Sequence, residues 1–285
     1  MSDQDQPLAP LILPSFLRPR VETSAIPLVR DIDKILADLV RLRGMLDRSF
    51  QWRETSVEVF TSRARQARTA FELNKLFWSD MASVIKAYCL SASWRSLELI
   101  ESALSLLDGE AVLGPTILSR SLIELTTTFI TNGGQIRYLV TGASQKWSDA
   151  VIFSLDLENL LNKAIFGSRL VPEGHELRQT NIITQLKKLS KLTGYEPLME
   201  YYERLCEVAH PNMMGNARFW YDVVQLNPDG SMTRFARGRA ITNERVERLY
   251  DDVLWTLSWS GSNLLYGFGV LDAQVRTITS AFSAA

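Results

Sequence analysis

Histidine and cysteine are scarce in this 285-residue chain, which has two of each: His175 and His210, Cys89 and Cys206. That scarcity excludes most metal chemistry. A structural zinc site of four cysteines, or of two cysteines and two histidines, would need every such residue at spacings not seen here. Nucleophile–histidine catalysis is limited to two bases. Glu207-x-x-His210 is half of a ferritin-like di-iron signature, and the second Glu-x-x-His is missing. Also absent are the Gly-x-x-x-x-Gly-Lys loop, the Gly-x-Gly-x-x-Gly turn and the Gly-x-Ser-x-Gly elbow, so no standard nucleotide or hydrolase motif is present. No metal and no cofactor is expected. Net charge is nearly absent: 31 basic and 32 acidic side chains leave −1.

What remains is an ordinary globular composition, 46% hydrophobic and 22% charged. A chain of this length buries roughly three quarters of its unfolded surface and needs no disulfide to hold a core. Two distant cysteines fit a reducing cytoplasm, with both thiols as small hydrophobes. The acidic start and the prolines at Pro7, Pro10 and Pro14 make a poor signal peptide. With Pro19 and Pro27 they predict an extended arm over 1–27. Val253 to Leu271 carries no charge for nineteen residues, long enough to span a bilayer. Its serines, threonine, asparagine and glycines read instead as a helix buried among neighbours, and no membrane span is expected.

Apolar residues recur at three and four along most of the chain. Helices are expected over about 28–47, 57–74, 75–107, from Gly114-Pro115 to the stop at Asn132-Gly133-Gly134, and over 147–166, 175–192 and 197–209. A last long helix is expected from Thr242, with 245–271 as its body. The exception is Phe219 to Leu226, which is β-rich and followed by the turn signal Asn227-Pro228-Asp229-Gly230 and by Thr233 to Arg237. The expected fold class is therefore all-α: a single multi-helix bundle domain over 28–285, with a β-hairpin insertion near 218–240 and the extended N-terminal arm.

Charge is unevenly placed. Residues 18–68 hold ten arginines and one lysine against seven acids. The hairpin region adds Arg234, Arg237 and Arg239, beside the aromatic pair Trp220 and Tyr221. Arginine suits bidentate phosphate contacts and stacking, so these five residues are candidates for a surface that docks a protein or nucleic-acid partner. Solvated faces and helix-end ion pairs are the plainer reading.

The densest chemical signal is Arg204-Leu205-Cys206-Glu207-Val208-Ala209-His210-Pro211-Asn212. Pro211 stops the helix, leaving His210 at its end, where the helix dipole favours a cation. A histidine and an arginine at a helix end suit acid–base work on a phosphate ester; a helix-capping histidine is the structural alternative. Arg120 and Glu124 form an i,i+4 pair in an otherwise apolar helix. They are either an ion pair anchoring two helices or supports facing His210 across a cleft.

Arg204 and His210, with five residues between them, resemble the Arg-x4–6-His signature of HEPN-fold ribonucleases, helical proteins of bacterial toxin and antiphage systems. Ser119-Arg120-Ser121-Leu122-Ile123-Glu124, followed far downstream by Cys206 to Pro211, is similar to a broad group of bacterial helical proteins with an Arg-x-x-x-Glu helix and a later helix-end His-Pro. The resemblance implies a metal-independent endoribonuclease, used in defence or as a toxin. His210 and Arg204 would be catalytic, Arg120, Glu124 and Asn212 supporting, RNA the partner, and the assembly a homodimer. The alternative is a non-enzymatic interaction protein that docks a partner through the hairpin and the arginine-rich arm.

Overall fold

A computed structural model describes residues 10–50, 55–109, 111–192, 194–210, 222–236 and 244–283, the last two stretches in part by backbone alone. Ten helices are assigned among them. The first four are α1 (Arg18–Thr23), α2 (Pro27–Arg30), α3 (Ile32–Met45) and α4 (Val57–Gln66). α5 (Ala70–Asp108) and α6 (Leu113–Ser144) follow, then α7 (Leu155–Phe166), α8 (Ile182–Leu189), α9 (Leu198–Ala209) and α10 (Glu244–Ser283). No helix among the described residues is long and apolar enough to cross a membrane.

The residues group into two compact units. One comprises 1–44, 96–126 and 186–262, the other 45–95, 127–185 and 263–285. In the first, α3 presents Ile32, Ile35, Leu36, Leu39 and Leu42 to the core, the three-and-four stripe its sequence predicts. Gly261 of α10 lies close against it: a Cβ there would meet Ile35 Cγ2 at 2.7 Å and Leu39 Cδ1 at 3.1 Å. Two hydroxyls of the uncharged stretch are satisfied within α10. Thr256 Oγ1 donates to the Asp252 carbonyl at 2.8 Å and Ser258 Oγ to the Leu254 carbonyl at 2.9 Å. Such back-bonding lets polar residues lie buried without a partner from another element.

The second unit is built around Trp78, Ile85, Phe129, Ile136, Val140, Leu157, Leu161 and Leu271, all buried. Fully buried Asn74 fixes the turn after α6. Its Nδ2 donates to the carbonyls of Trp147 and Ala150 at 2.9 and 2.7 Å, and its Oδ1 accepts from the Ile152 amide at 2.7 Å. Trp78 Nε1 donates to the Ile152 carbonyl at 2.8 Å.

The expected fold class is corrected at both of its non-helical features. The arm over 1–27 is not extended where it is described. A 3-10 turn at Ser15–Leu17 leads into α1 and α2, and Leu11, Leu13, Leu17 and Val21 are buried. Pro19 and Pro27 stand in helix first turns, where a missing N–H costs nothing. The hairpin insertion expected over 218–240 is corrected as well: no insertion of that extent is described, and 218–221 and 237–240 lie outside the described residues. Between 222 and 236 there is only a short backbone ladder, β1 (Asp222–Leu226) against β2 (Met232–Ala236), whose register slips at two places. A two-stranded ladder alone is marginal. What the Asn-Pro-Asp-Gly signal specifies is the turn itself, with Gly230 at φ 81° and the Asn227 amide donating to the Ser231 carbonyl at 2.8 Å.

Helix boundaries also differ from expectation: the helix expected over 147–166 begins at Leu155, the one expected over 175–192 spans only Ile182–Leu189, and two further breaks move. The break expected between 74 and 75 falls at 67–69, because Thr69 and Glu72 form a capping box. The Thr69 amide donates to Glu72 Oε2 and the Glu72 amide to Thr69 Oγ1, both at 3.2 Å, which starts α5 at Ala70. α6 runs through the stop expected at Asn132-Gly133-Gly134. Asn132 is buried there, donating to the Tyr88 hydroxyl at 3.1 Å, so tertiary contact outweighs local propensity.

Asn74→Ala removes three hydrogen bonds and leaves their backbone partners buried. Urea unfolding is expected to show a loss of about 3 kcal/mol. A loss below about 0.5 kcal/mol would contradict this role for the side chain.

Candidate functional site

α9 is amphipathic on two sides, and its candidate residues divide between them. At about 100° per residue, Arg204 and Cys206 point to opposite sides of the helix, while Tyr202, Cys206 and the exit at His210 keep to one. The hydrogen bonds agree with that geometry.

On the first side Arg204 reaches Asp252 of α10. Its Nε donates to both carboxylate oxygens at 3.0 Å and its Nη2 to Oδ1 at 2.7 Å. Nη1 donates to Glu200, one turn earlier on α9. The guanidinium also lies 4.3 Å from the Tyr201 ring centroid, and Tyr201 stacks on Trp255 with centroids 3.8 Å apart. The Asp252 side chain is only 5% exposed. Burial pushes its carboxyl above the ordinary aspartate value, against the hydrogen bonds and charge of Arg204, which pull it down. A concavity of about 540 Å³ opens beside this pair, lined by Arg20, Arg204 and Arg248 and by Glu200, Asp251 and Asp252. Arg20 is held by Glu247 and by Asp251, the latter at 3.2 Å.

On the other side α9 faces α6. Tyr202 donates to Glu124 Oε1 at 2.7 Å, and Arg120 Nε is 3.4 Å from the same oxygen. The Arg120 guanidinium lies 5.9 Å from the Tyr202 ring centroid. Burial raises the Tyr202 hydroxyl, and its hydrogen bond to Glu124 adds to the rise. Burial also raises the Cys206 thiol, while the Tyr202 hydroxyl and the Arg120 charge draw it back down. Arg120 keeps about a third of its side chain exposed, 31%. α9 ends at Ala209, and His210 is its C-cap, extended at φ −82° and ψ 136°, with its amide donating to the Cys206 carbonyl at 3.1 Å. That extended conformation is what the following proline demands. The His210 side chain is exposed.

The structure therefore brings Arg120 and Glu124 together with Tyr202 and Cys206, one turn before His210, and joins Arg204 to Asp252 on the opposite side. Asn212, Trp220, Tyr221, Arg237 and Arg239 lie outside the described residues, as does the side chain of Arg234. Tyr202 and Asp252 were not among the expected site residues. Asp252 stands at the edge of the uncharged stretch, where a buried carboxylate calls for a cation, and Tyr202 precedes Cys206 by one turn. His175 lies in a loop, its Nδ1 accepting from the Leu177 amide at 3.1 Å. Among the described residues no group of three or more His, Cys, Asp or Glu side chains is placed to hold a metal ion. Comparison with family models, curated proteins and solved structures finds no match to this chain.

Two outcomes follow. Cys206 is expected to react with iodoacetamide at neutral pH more slowly than a free cysteine. Cys89, whose thiol burial pushes up to about 12, should react more slowly still. Native labelling as fast as in urea would contradict both. For Asp252, a carboxyl raised in the folded state contributes stability that is complete below its unfolded value of 3.8 and is lost as pH rises through the folded value. The stability lost on Asp252→Asn should thus be larger near pH 3.8 than at neutral pH, and a loss that grows towards neutral pH would reverse the sign.

Proposed function

We propose that the chain is a metal-independent endoribonuclease of HEPN-like type, with His210 moving the proton and Arg120 holding the phosphate. It would act in the cytoplasm as a homodimer, in bacterial defence or as a toxin. The observation that carries this reading is the exposed His210 at the exit of α9, one turn beyond Cys206, on the side where Arg120 and Glu124 meet that helix. The four residues from Cys206 to His210 correspond to about 6 Å of rise.

In this mechanism an imidazole nitrogen of His210 takes the proton of a ribose 2′-hydroxyl. The 2′ oxygen bonds to phosphorus as the bond to the 5′ oxygen breaks, and the 5′ oxygen takes a proton from the imidazolium. The products are a 2′,3′-cyclic phosphate and a 5′-hydroxyl. Arg120 stabilises the charge that builds on the phosphoryl oxygens, and Glu124 together with Tyr202 fixes the guanidinium. Arg204, matched to the family spacing, serves here by setting the rotation of α9.

That commitment of Arg204 to Asp252 and Glu200 favours a second reading, a non-enzymatic interaction protein in which α9 is purely structural. A cleavage assay on single-stranded RNA in EDTA separates the two. Wild-type protein should cleave, and His210→Ala and Arg120→Ala should each lose about a hundredfold or more in rate with melting unchanged. No cleavage, or cleavage undiminished in His210→Ala, would refute the ribonuclease.

A further inference from the structure

Within the second unit, α4, α5 and α7 enclose a cavity of about 430 Å³ that no part of the proposed reaction uses. Helical spacing builds its walls. Phe77, Asp80, Met81 and Val84 form one stripe of α5, Leu155, Glu158, Leu161 and Asn162 one stripe of α7, and Val57 and Phe60 an edge of α4. Phe60, Phe77, Phe153 and Phe166 supply the rings. Phe77 and Phe153 are tilted with centroids 5.0 Å apart, and Phe60 meets Phe153 edge-on at 6.1 Å.

Three features indicate that the cavity is made to be filled. Its volume lies within the range of small-molecule sites, which are mostly apolar with a few convergent polar groups. α4 buries none of its side chains fully, so its apolar edge is left partly open. Val57 is 76% exposed, Leu155 66% and Phe166 54%, and an occupant would cover all three. The polarity selects the occupant. Asp80 and Glu158 are the ionisable groups in the wall, and no lysine or arginine lines it among the described residues. Thr55 Oγ1 donates to Asp80 Oδ1 at 2.9 Å and so orients that carboxylate. Phenyl faces attract cations, and a neutral apolar ligand would desolvate Glu158 with no opposite charge gained.

We propose that this cavity binds a small organic cation, an ammonium carried on an apolar body, with the body among the four phenyl rings and the charge at Glu158. The site is independent of His210 and holds whether or not the chain cleaves RNA.

Calorimetry on the full chain with phenethylamine, phenethyl alcohol and phenylacetate tests it. The amine should bind about tenfold more tightly than the alcohol, and the carboxylate not at all. Glu158→Gln should weaken the amine by about fivefold and leave the alcohol unchanged. Phe166→Ala, with folding checked by melting, should weaken amine and alcohol alike by about fivefold. Equal binding of amine and alcohol, no binding of the amine, or affinities unmoved by either variant would each overturn the proposal.

Discussion

The contact between Arg204 and Asp252 decides how α9 is turned, and the candidate chemistry depends on that turn. Asp252 begins the uncharged, deeply buried part of α10, where a carboxylate without a cation would cost several kcal/mol. Three hydrogen bonds from Arg204 meet it. Because Tyr201 leaves α9 on the same side, it lies flat against Trp255 and closes the contact with a stacked ring pair. The opposite side of α9 is then committed to α6, so Tyr202 reaches Glu124 and Cys206 lies in the field of Arg120. His210 follows as the C-cap of α9, with its side chain exposed. The pair is costly to bury, as the raised Asp252 carboxyl shows. Its effect is specification: it selects one rotation of an amphipathic helix that could otherwise bury either polar edge.

The same physics explains what could be read along the chain and what could not. Helical character was legible along most of the chain, since apolar stripes such as that of α3 are local signals. The errors came where a partner distant in sequence decides the outcome. Asn132-Gly133-Gly134 has every local mark of a helix stop, yet Tyr88, 44 residues earlier, receives the Asn132 amide and the helix continues. The proline-rich N-terminus looked extended because prolines were counted as breakers, although two of them stand at helix starts and its leucines have a core to enter. The capping box at Thr69 and Glu72 was a local signal that went unread.

The candidate site shows the same division. His210 at a helix end, and the pairing of Arg120 with Glu124, were legible from Pro211 and from i,i+4 spacing. The contact of Arg204 with Asp252 was not. The arginine's spacing to His210 matches a family signature, but Asp252 lies 48 residues further on, and nothing local announces that the guanidinium is taken. Linear spacing along a helix does not distinguish one side from the other unless the angle is counted. By that angle, the arginine on the side of His210 comes from α6.

The central claim is that Arg204 and Asp252 act as one structural unit, and a double-mutant cycle tests it most directly. Arg204→Leu, Asp252→Leu and the double variant would be compared with the parent by urea unfolding at neutral pH. Each single substitution should destabilise by about 3 kcal/mol, and the double by far less than their sum, for a coupling of about 2 kcal/mol or more. Additive losses, with a coupling below about 0.5 kcal/mol, would contradict the account and return Arg204 to the pool of groups available for catalysis.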